Sequence, residues 1–176
     1  NMHTNFARQK KMDYALDVAL DDQKILAIED EVERVLDQTI HDALKYTPEG
    51  GKVHVRAYLD ANRAVMSVRD NGIGIPKEVQ RDLFALFFRT EAAKAVDPAG
   101  SGTGLYEDRK TMLKHGGDIS FESEGTGHGS TFYVAAPLYT QNGGSADSDA
   151  SHKAASLGDC SAGGTTTTPP AAPAVV

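Results

Sequence analysis

The chain has no tryptophan, a single cysteine and few aromatic residues, 7% in all. One cysteine, Cys160, cannot close a disulfide within the chain or build a Cys-based zinc site. A reducing, cytoplasmic setting is the simplest reading. No apolar run approaches the roughly 18–20 residues needed to cross a bilayer, and no signal-peptide pattern opens the chain. Basic runs are missing as well. Lys and Arg number 18 against 25 acids, for a formal net charge of −7. With its cations scattered singly, the chain lacks the footprint of a protein that grips nucleic acid through phosphates.

What is present fits one domain of ordinary size. Asn1 reads as a cut from something longer, so residues 1–12 are expected to be a lead-in from a larger protein. From Gln141 the composition turns to Gly, Ser, Thr, Ala and Pro. Such a segment buries too little apolar surface to offset its ordering entropy, and 141–176 reads as a flexible low-complexity tail. The domain is therefore expected over 13–140.

Within it, DYALDVAL (Asp13 to Leu20) alternates like a half-buried strand, and a short apolar KILAI follows. Glu29 to Tyr46 has helical spacing, with Val32, Val35, Leu36, Ile40, Ala43 and Leu44 on one face and acids near the start. TPEGG ends it. KVHVRAYL and RAVMSVRD alternate around DAN as a hairpin. A long glycine-containing connection leads to about Gly102, the helical LYEDRKTMLKHGG follows, and DISFESE with GSTFYVAAPL forms a second hairpin around GTGHG. This order predicts an α+β fold: a two-layer α/β sandwich whose mixed sheet is covered on one face by helices.

Two glycine series carry the chemistry. RDNGIGIP (Arg69 to Pro76) puts an acid at a strand end beside backbone without Cβ atoms. A planar ligand could approach there while the carboxylate accepts a hydrogen bond from an exocyclic amine. Asn-Gly is also an ordinary turn signal. GSGTGL (Gly100 to Leu105) opens a helix with small residues, leaving N–H groups that favour phosphate. It is not a Walker A loop, because no Lys-Ser or Lys-Thr follows, and it does not sit in a strand–glycine–helix dinucleotide unit. Between the two series, LFALFFRT (Leu83 to Thr90) supplies aromatics that could close a lid.

Taken in order, four segments resemble the ATP-binding catalytic domain of sensor histidine kinases, in the gyrase, Hsp90, histidine kinase and MutL superfamily. DALKYTPEGGKVHV looks like that family's N box and RDNGIGIP like its first glycine box. LFALFFR looks like the F box. GSGTGL through HGGDISFESEGTGHGSTFYVAAPL looks like the second glycine box with its closing hairpin. The likeness covers about Asp13 to Leu138. It implies the Bergerat-type ATP-binding fold, with ATP between the helices and a mobile lid. Asp70 would take the adenine amino group, helped by Gly72 and Gly74. Lys45 and Tyr46 sit where the family contacts nucleotide. Gly100, Gly102 and Gly104, with Leu105, would meet the phosphates, and Mg²⁺ would bridge these to the N-box helix. The γ-phosphoryl group would pass to a histidine on a separate dimerisation domain, with a response regulator as the onward partner. The chain would then be the cytoplasmic part of a sensor.

The N box departs from the pattern. Asp42 stands where relatives carry the Mg²⁺-coordinating asparagine, and Gln38 stands one turn earlier, where they carry another asparagine or a glutamate. Residues four apart share a helix face, so Gln38 and Asp42 are the candidate catalytic pair and Asp42 the candidate metal ligand. A solvated Asp42 is the competing reading. Gln38 cannot act as a general base, which disfavours the water activation of the superfamily's ATPases.

His41 is not the expected phosphate acceptor. The acceptor motif places Thr four residues after the histidine, whereas Thr47 follows six after His41. An incidental exposed position is expected for it, and a cationic role at a helix C-terminus for His115.

Glu107 and Asp108 fall where the family pattern is aliphatic. Two unpaired buried carboxylates would be costly, so this helix is expected to be rotated, frayed or shifted outward, with low nucleotide affinity. These departures leave two other readings open: a degenerate signalling or docking module, and a serine kinase of the anti-sigma type.

Overall fold

The computed structural model describes residues 2–20, 23–139 and 154–156. Its helices are α1 (Met2–Gln9), α2 (Glu29–Tyr46), α3 (Glu91–Val96) and α4 (Gly104–Lys114). The strands are β1 (Asp13–Val18), β2 (Lys24–Leu26), β3 (Lys52–Asp60), β4 (Arg63–Asp70), β5 (Asp118–Glu122), β6 (Ser130–Pro137) and β7 (Ala154–Ser156). The low-complexity segment 141–176 lies outside the described residues, except that β7 pairs antiparallel with β2.

The apolar stripe of α2 does what its spacing dictates. Val32, Val35, Ile40, Ala43 and Leu44 are buried, and Glu29, Asp30 and Glu31 occupy the first turn, where acids suit the helix dipole. Both ends are closed by residues from elsewhere. Lys10, just past α1, donates to the carbonyls of Leu44, Lys45 and Thr47 at 2.7, 3.2 and 2.5 Å, capping the C-terminus with a cation. At the N-terminus Ile28 N–H donates to His115 Nε2 at 3.2 Å. Its other ring nitrogen, Nδ1, lies 2.8 Å from Thr111 O. The buried His115 thus bridges the start of α2 and the end of α4, with Glu31 Oε2 3.5 Å from its Nε2.

Five strands form one sheet in the order β1-β3-β4-β6-β5. β1 runs parallel to β3, and the other neighbours are antiparallel. The sheet is therefore mixed, as expected. Val53 and Val55 of β3, Ala64, Met66 and Val68 of β4, Ile119 of β5 and Val134 of β6 join the α2 stripe and Met112 of α4 in one core. Strand periodicity then fixes the direction of the last β4 residue. Positions 64, 66 and 68 face the helices, so Asp70 does too.

Two elements differ from expectation. β1 stands at the sheet edge with only Tyr14 half-buried, and Leu16 and Val18 are 41% and 37% exposed. The long connection after Asp70 contains a 3-10 turn over Lys77–Asp82 and the helix α3. Thr90 starts α3 as its N-cap, accepting from Ala93 N–H at 3.1 Å.

Helix α4 is not displaced outward. Met112 and Asp108, one turn apart, are 0% and 1% exposed, whereas Glu107 faces solvent. Arg34 of α2 makes the burial of Asp108 tolerable: its Nη1 reaches Asp108 Oδ1 at 3.2 Å and its Nη2 reaches Thr111 Oγ1 at 3.3 Å. The expected cost assumed an unpaired carboxylate, and the partner lies 74 residues away. His41 also departs from expectation. It is half-buried, its ring 5.6 Å from that of Phe6 in α1.

Candidate functional site

Between α2, the sheet and the segment carrying α3 lies a cavity of about 430 Å³, within the range of small-molecule pockets. Of the residues singled out in the sequence, Gln38, Asp42, Lys45, Tyr46, Asp70 and Gly74 line it from the sheet and α2 side. Gly100, Gly102, Gly104 and Leu105 line it from the other. Gly72 does not line the cavity.

Asp70 is 8% exposed. Its Oδ1 accepts from Gly72 N–H at 2.8 Å and its Oδ2 from Ser130 Oγ–H at 2.6 Å. A carboxylate offers about four acceptor positions, so lone pairs remain for a ligand donor. Burial raises the Asp70 pKa above the usual carboxylate range, while the Ser130 and Gly72 bonds work against that shift. Ser130 was not recognisable along the chain. It meets Asp70 because β4 and β6 pair them in register.

The glycines of the first series serve the chain itself. A Cβ at Gly72 would come within 2.5 Å of Tyr46 O, and one at Gly74, where φ is +65°, within 2.1 Å of Gly125 O. Their bare backbone lets the loop close against the end of α2 and the β5–β6 connection, so ligand access is not what requires glycine there. Ile73 completes this closure, donating to Tyr46 O at 3.2 Å and accepting from Gly127 N–H at 2.7 Å. The loop beside Asp70 is thereby fixed from two sides.

On α2, Gln38 Nε2 donates to Asp42 Oδ1 at 3.0 Å. That bond leaves Gln38 Oε1 and Asp42 Oδ2 as hard oxygen donors on the cavity wall, the donor type that Mg²⁺ takes. Burial raises the Asp42 pKa, opposed by the Gln38 bond and by Lys45. Arg34 precedes Gln38 by four residues on the same helix face, a spacing that could have flagged it.

At the far end, α4 begins without a side-chain cap from Thr103. A Cβ at Gly104 would meet nothing within 4 Å, and Gly104 lines the cavity, so the start of α4 borders open space. That is the arrangement in which helix N-termini hold anions. Two acids temper it. Glu107 lies in the first turn, and Asp108, its pKa raised by burial to about 6, lies just beyond.

The segment over this end is tied by Arg89, which donates to Gly100 O at 2.8 Å, to Ala93 O at 3.0 Å and to Asp97 O. Lys45 Nζ reaches across to Asp97 Oδ2 at 2.5 Å. Phe88 is the one aromatic of LFALFFRT on the cavity wall. Phe84 packs on Phe121 at 5.7 Å beneath Arg109, and Phe87 is 70% exposed. Among the described residues no group of three or more His, Cys, Asp or Glu side chains could by itself hold a metal ion. Any cation here would depend on a ligand's own oxygens as well.

Comparison with known proteins agrees with this geometry. The model of the family described as histidine kinase-, DNA gyrase B-, and HSP90-like ATPase matches residues 27–140. The chain is 35% identical over 141 residues to the adaptive-response sensory kinase SasA of Thermosynechococcus vestitus, covering 80% of this chain and 36% of that protein. It spans about a third or less of the length of the curated relatives it matches. Among solved structures, the catalytic domain of histidine kinase ThkA superposes with TM-score 0.66 at 26% identity, covering 77% of this chain and 86% of that one. Full-length ShkA in complex with AMPPNP gives 0.64 at 27% identity, covering 81% of this chain and 29% of that one.

Proposed function

Because the chain belongs to the family of histidine kinase-, DNA gyrase B- and HSP90-like ATPases, we propose that its cavity binds Mg·ATP for transfer of the γ-phosphoryl group to a histidine on a separate dimerisation domain. One observation carries this reading. The buried, doubly hydrogen-bonded Asp70 and the uncapped start of α4 share one cavity. The Asp70 carboxylate takes the adenine amine, and Gly72 and Gly74 hold the loop that fixes its position. Tyr46 and Lys45 border the ligand at the end of α2. The glycine-rich segment with Gly100, Gly102 and Gly104, and Leu105 in the first turn of α4, borders the phosphates.

Gln38 and Asp42 present oxygens that suit Mg²⁺, and Asp42 is its proposed ligand. Held by Gln38 and Asp42, the metal would offset the repulsion between the phosphates and the carboxylates of Asp42, Glu107 and Asp108. The protein's contribution is positioning and charge stabilisation. An imidazole nitrogen of the acceptor forms a bond to phosphorus as the bond to the bridging oxygen breaks, and ADP leaves.

The remaining partners follow from the same reading: a response regulator downstream, and a cytoplasmic location within a longer sensor. No helix among the described residues is long and apolar enough to cross a membrane.

Calorimetry with ATP, with and without Mg²⁺, tests the binding. Metal-dependent binding that disappears in Asp70→Ala is the expected result. Incubation with labelled ATP and a histidine-bearing dimerisation domain tests the transfer. If millimolar nucleotide gives no heat with the folded protein, the reading fails.

A further inference from the structure

Among the described residues, the cations on the cavity wall are Arg34, Lys45 and Arg89, and each is already engaged. Arg34 faces the buried Asp108 within the helix layer. Arg89 is surrounded by backbone carbonyls of the lid segment, neutral groups that keep their place whether or not an anion arrives. Lys45 differs. Its partner Asp97 is a carboxylate at the end of α3. The two side chains are 28% and 23% exposed, open enough for exchange with an incoming anion. The bond from Lys45 holds the Asp97 carboxyl below the usual range, so Asp97 already occupies Lys45 as an anion.

We infer that Asp97 is a specificity-determining residue of this site: it competes with the phosphates for Lys45, and so weakens phosphate recognition without affecting recognition of the base. The inference rests on the nucleotide reading above and adds to it. A nucleoside has no group that must displace Asp97. A nucleotide must separate the pair, exchanging one charge-assisted bond for another. Release of Asp97 also removes a tie between α3 and α2, so phosphate binding loosens the segment that covers it.

The test compares the wild-type chain with Asp97→Asn, which keeps the shape and removes the charge, and with Asp97→Ala as a second variant. Calorimetry with adenosine, ADP and ATP in the presence of Mg²⁺ is paired with hydrogen exchange of the Glu91–Gly102 amides in nucleotide-free protein. The expected result is ATP and ADP binding tightened about fivefold, adenosine binding unchanged, and faster lid exchange. Three results would overturn the inference: unchanged lid exchange, adenosine tightening as much as ATP, or ATP binding no tighter in the variants while adenosine still binds. Failure of all three ligands to bind any of the proteins would overturn the nucleotide reading and the competition together. Intact adenosine binding separates the two kinds of failure.

Discussion

At the sheet end of the cavity, Asp70 is 8% exposed and held by a backbone N–H and a hydroxyl. At the lid end, Lys45–Asp97 and Arg34–Asp108 are ion pairs, and Arg89 spans three carbonyls. The first end is fixed by β-sheet register and backbone closure, which neither salt nor mild pH alters. The second end is fixed by charges, in a place where bound phosphate would add more. On the proposed nucleotide reading, the base site is preformed, whereas the phosphate site must be rearranged by its own ligand. Affinity for the two parts of a nucleotide should respond to different mutations and conditions.

The largest expected effect is at the preformed end. Asp70→Ala removes the amine acceptor and leaves Ser130 and Gly72 donating to nothing. ATP affinity should fall about a thousandfold, close to 4 kcal/mol, by calorimetry. A loss of tenfold or less would break the comparison, because the lid end would then carry the binding.

The next effect concerns stability. Burial first, then the nearby charges of Asp42 and Glu107, raise Asp108 from 3.8 to about 6, and Arg34 opposes the shift. Between those values the folded chain keeps a proton that the unfolded chain has lost, so stability falls as pH rises from 3.8 through about 6. Above that window the penalty is complete, at about 3 kcal/mol. Asp108→Asn should therefore be more stable than wild type at pH 8 by up to about this amount, and show no such gain at pH 4, in urea titrations at both values.

A smaller effect separates support from contact. Lys10 caps three carbonyls at the end of α2 without lining the cavity. Lys10→Met should cost about 2 kcal/mol of stability in the same titrations, with adenosine affinity within a factor of about two of wild type. Smallest is the metal term. Asp42→Ala should reduce the Mg²⁺-dependent part of ATP affinity about tenfold and leave metal-free binding equal or tighter, because the acid opposes a bare triphosphate. If Mg²⁺ dependence is unchanged, Asp42 is not the ligand.

Much of the fold was legible because it rests on local periodicity. The stripe from Val32 to Leu44 gave α2 its limits, and alternation with turn residues marked both hairpins. Asp70 could be read because an acid at a strand end followed by Gly-x-Gly is a short-range pattern. Contacts between distant segments could not be read. Ser130 reaches Asp70 through strand register, Asp97 reaches Lys45 across the cavity, and Arg34 neutralises Asp108 between two helices. Each pair joins residues too far apart for periodicity to connect. Of the rotation, fraying or outward shift expected of α4, the outward shift is absent for this reason: composition revealed the buried acid but not its distant partner. The glycines next to Asp70 were expected to admit a ligand, but the chain's own backbone occupies the space their missing Cβ atoms leave.

The central claim is that Asp70 recognises an exocyclic amine on a purine. Binding of ATP should be compared with that of the triphosphate of purine riboside, which has the same ring and phosphates but no amine, in wild type and Asp70→Ala. Wild type should prefer ATP by at least about tenfold, and the preference should disappear in the variant. Equal affinity of the wild-type protein for the two nucleotides would contradict it.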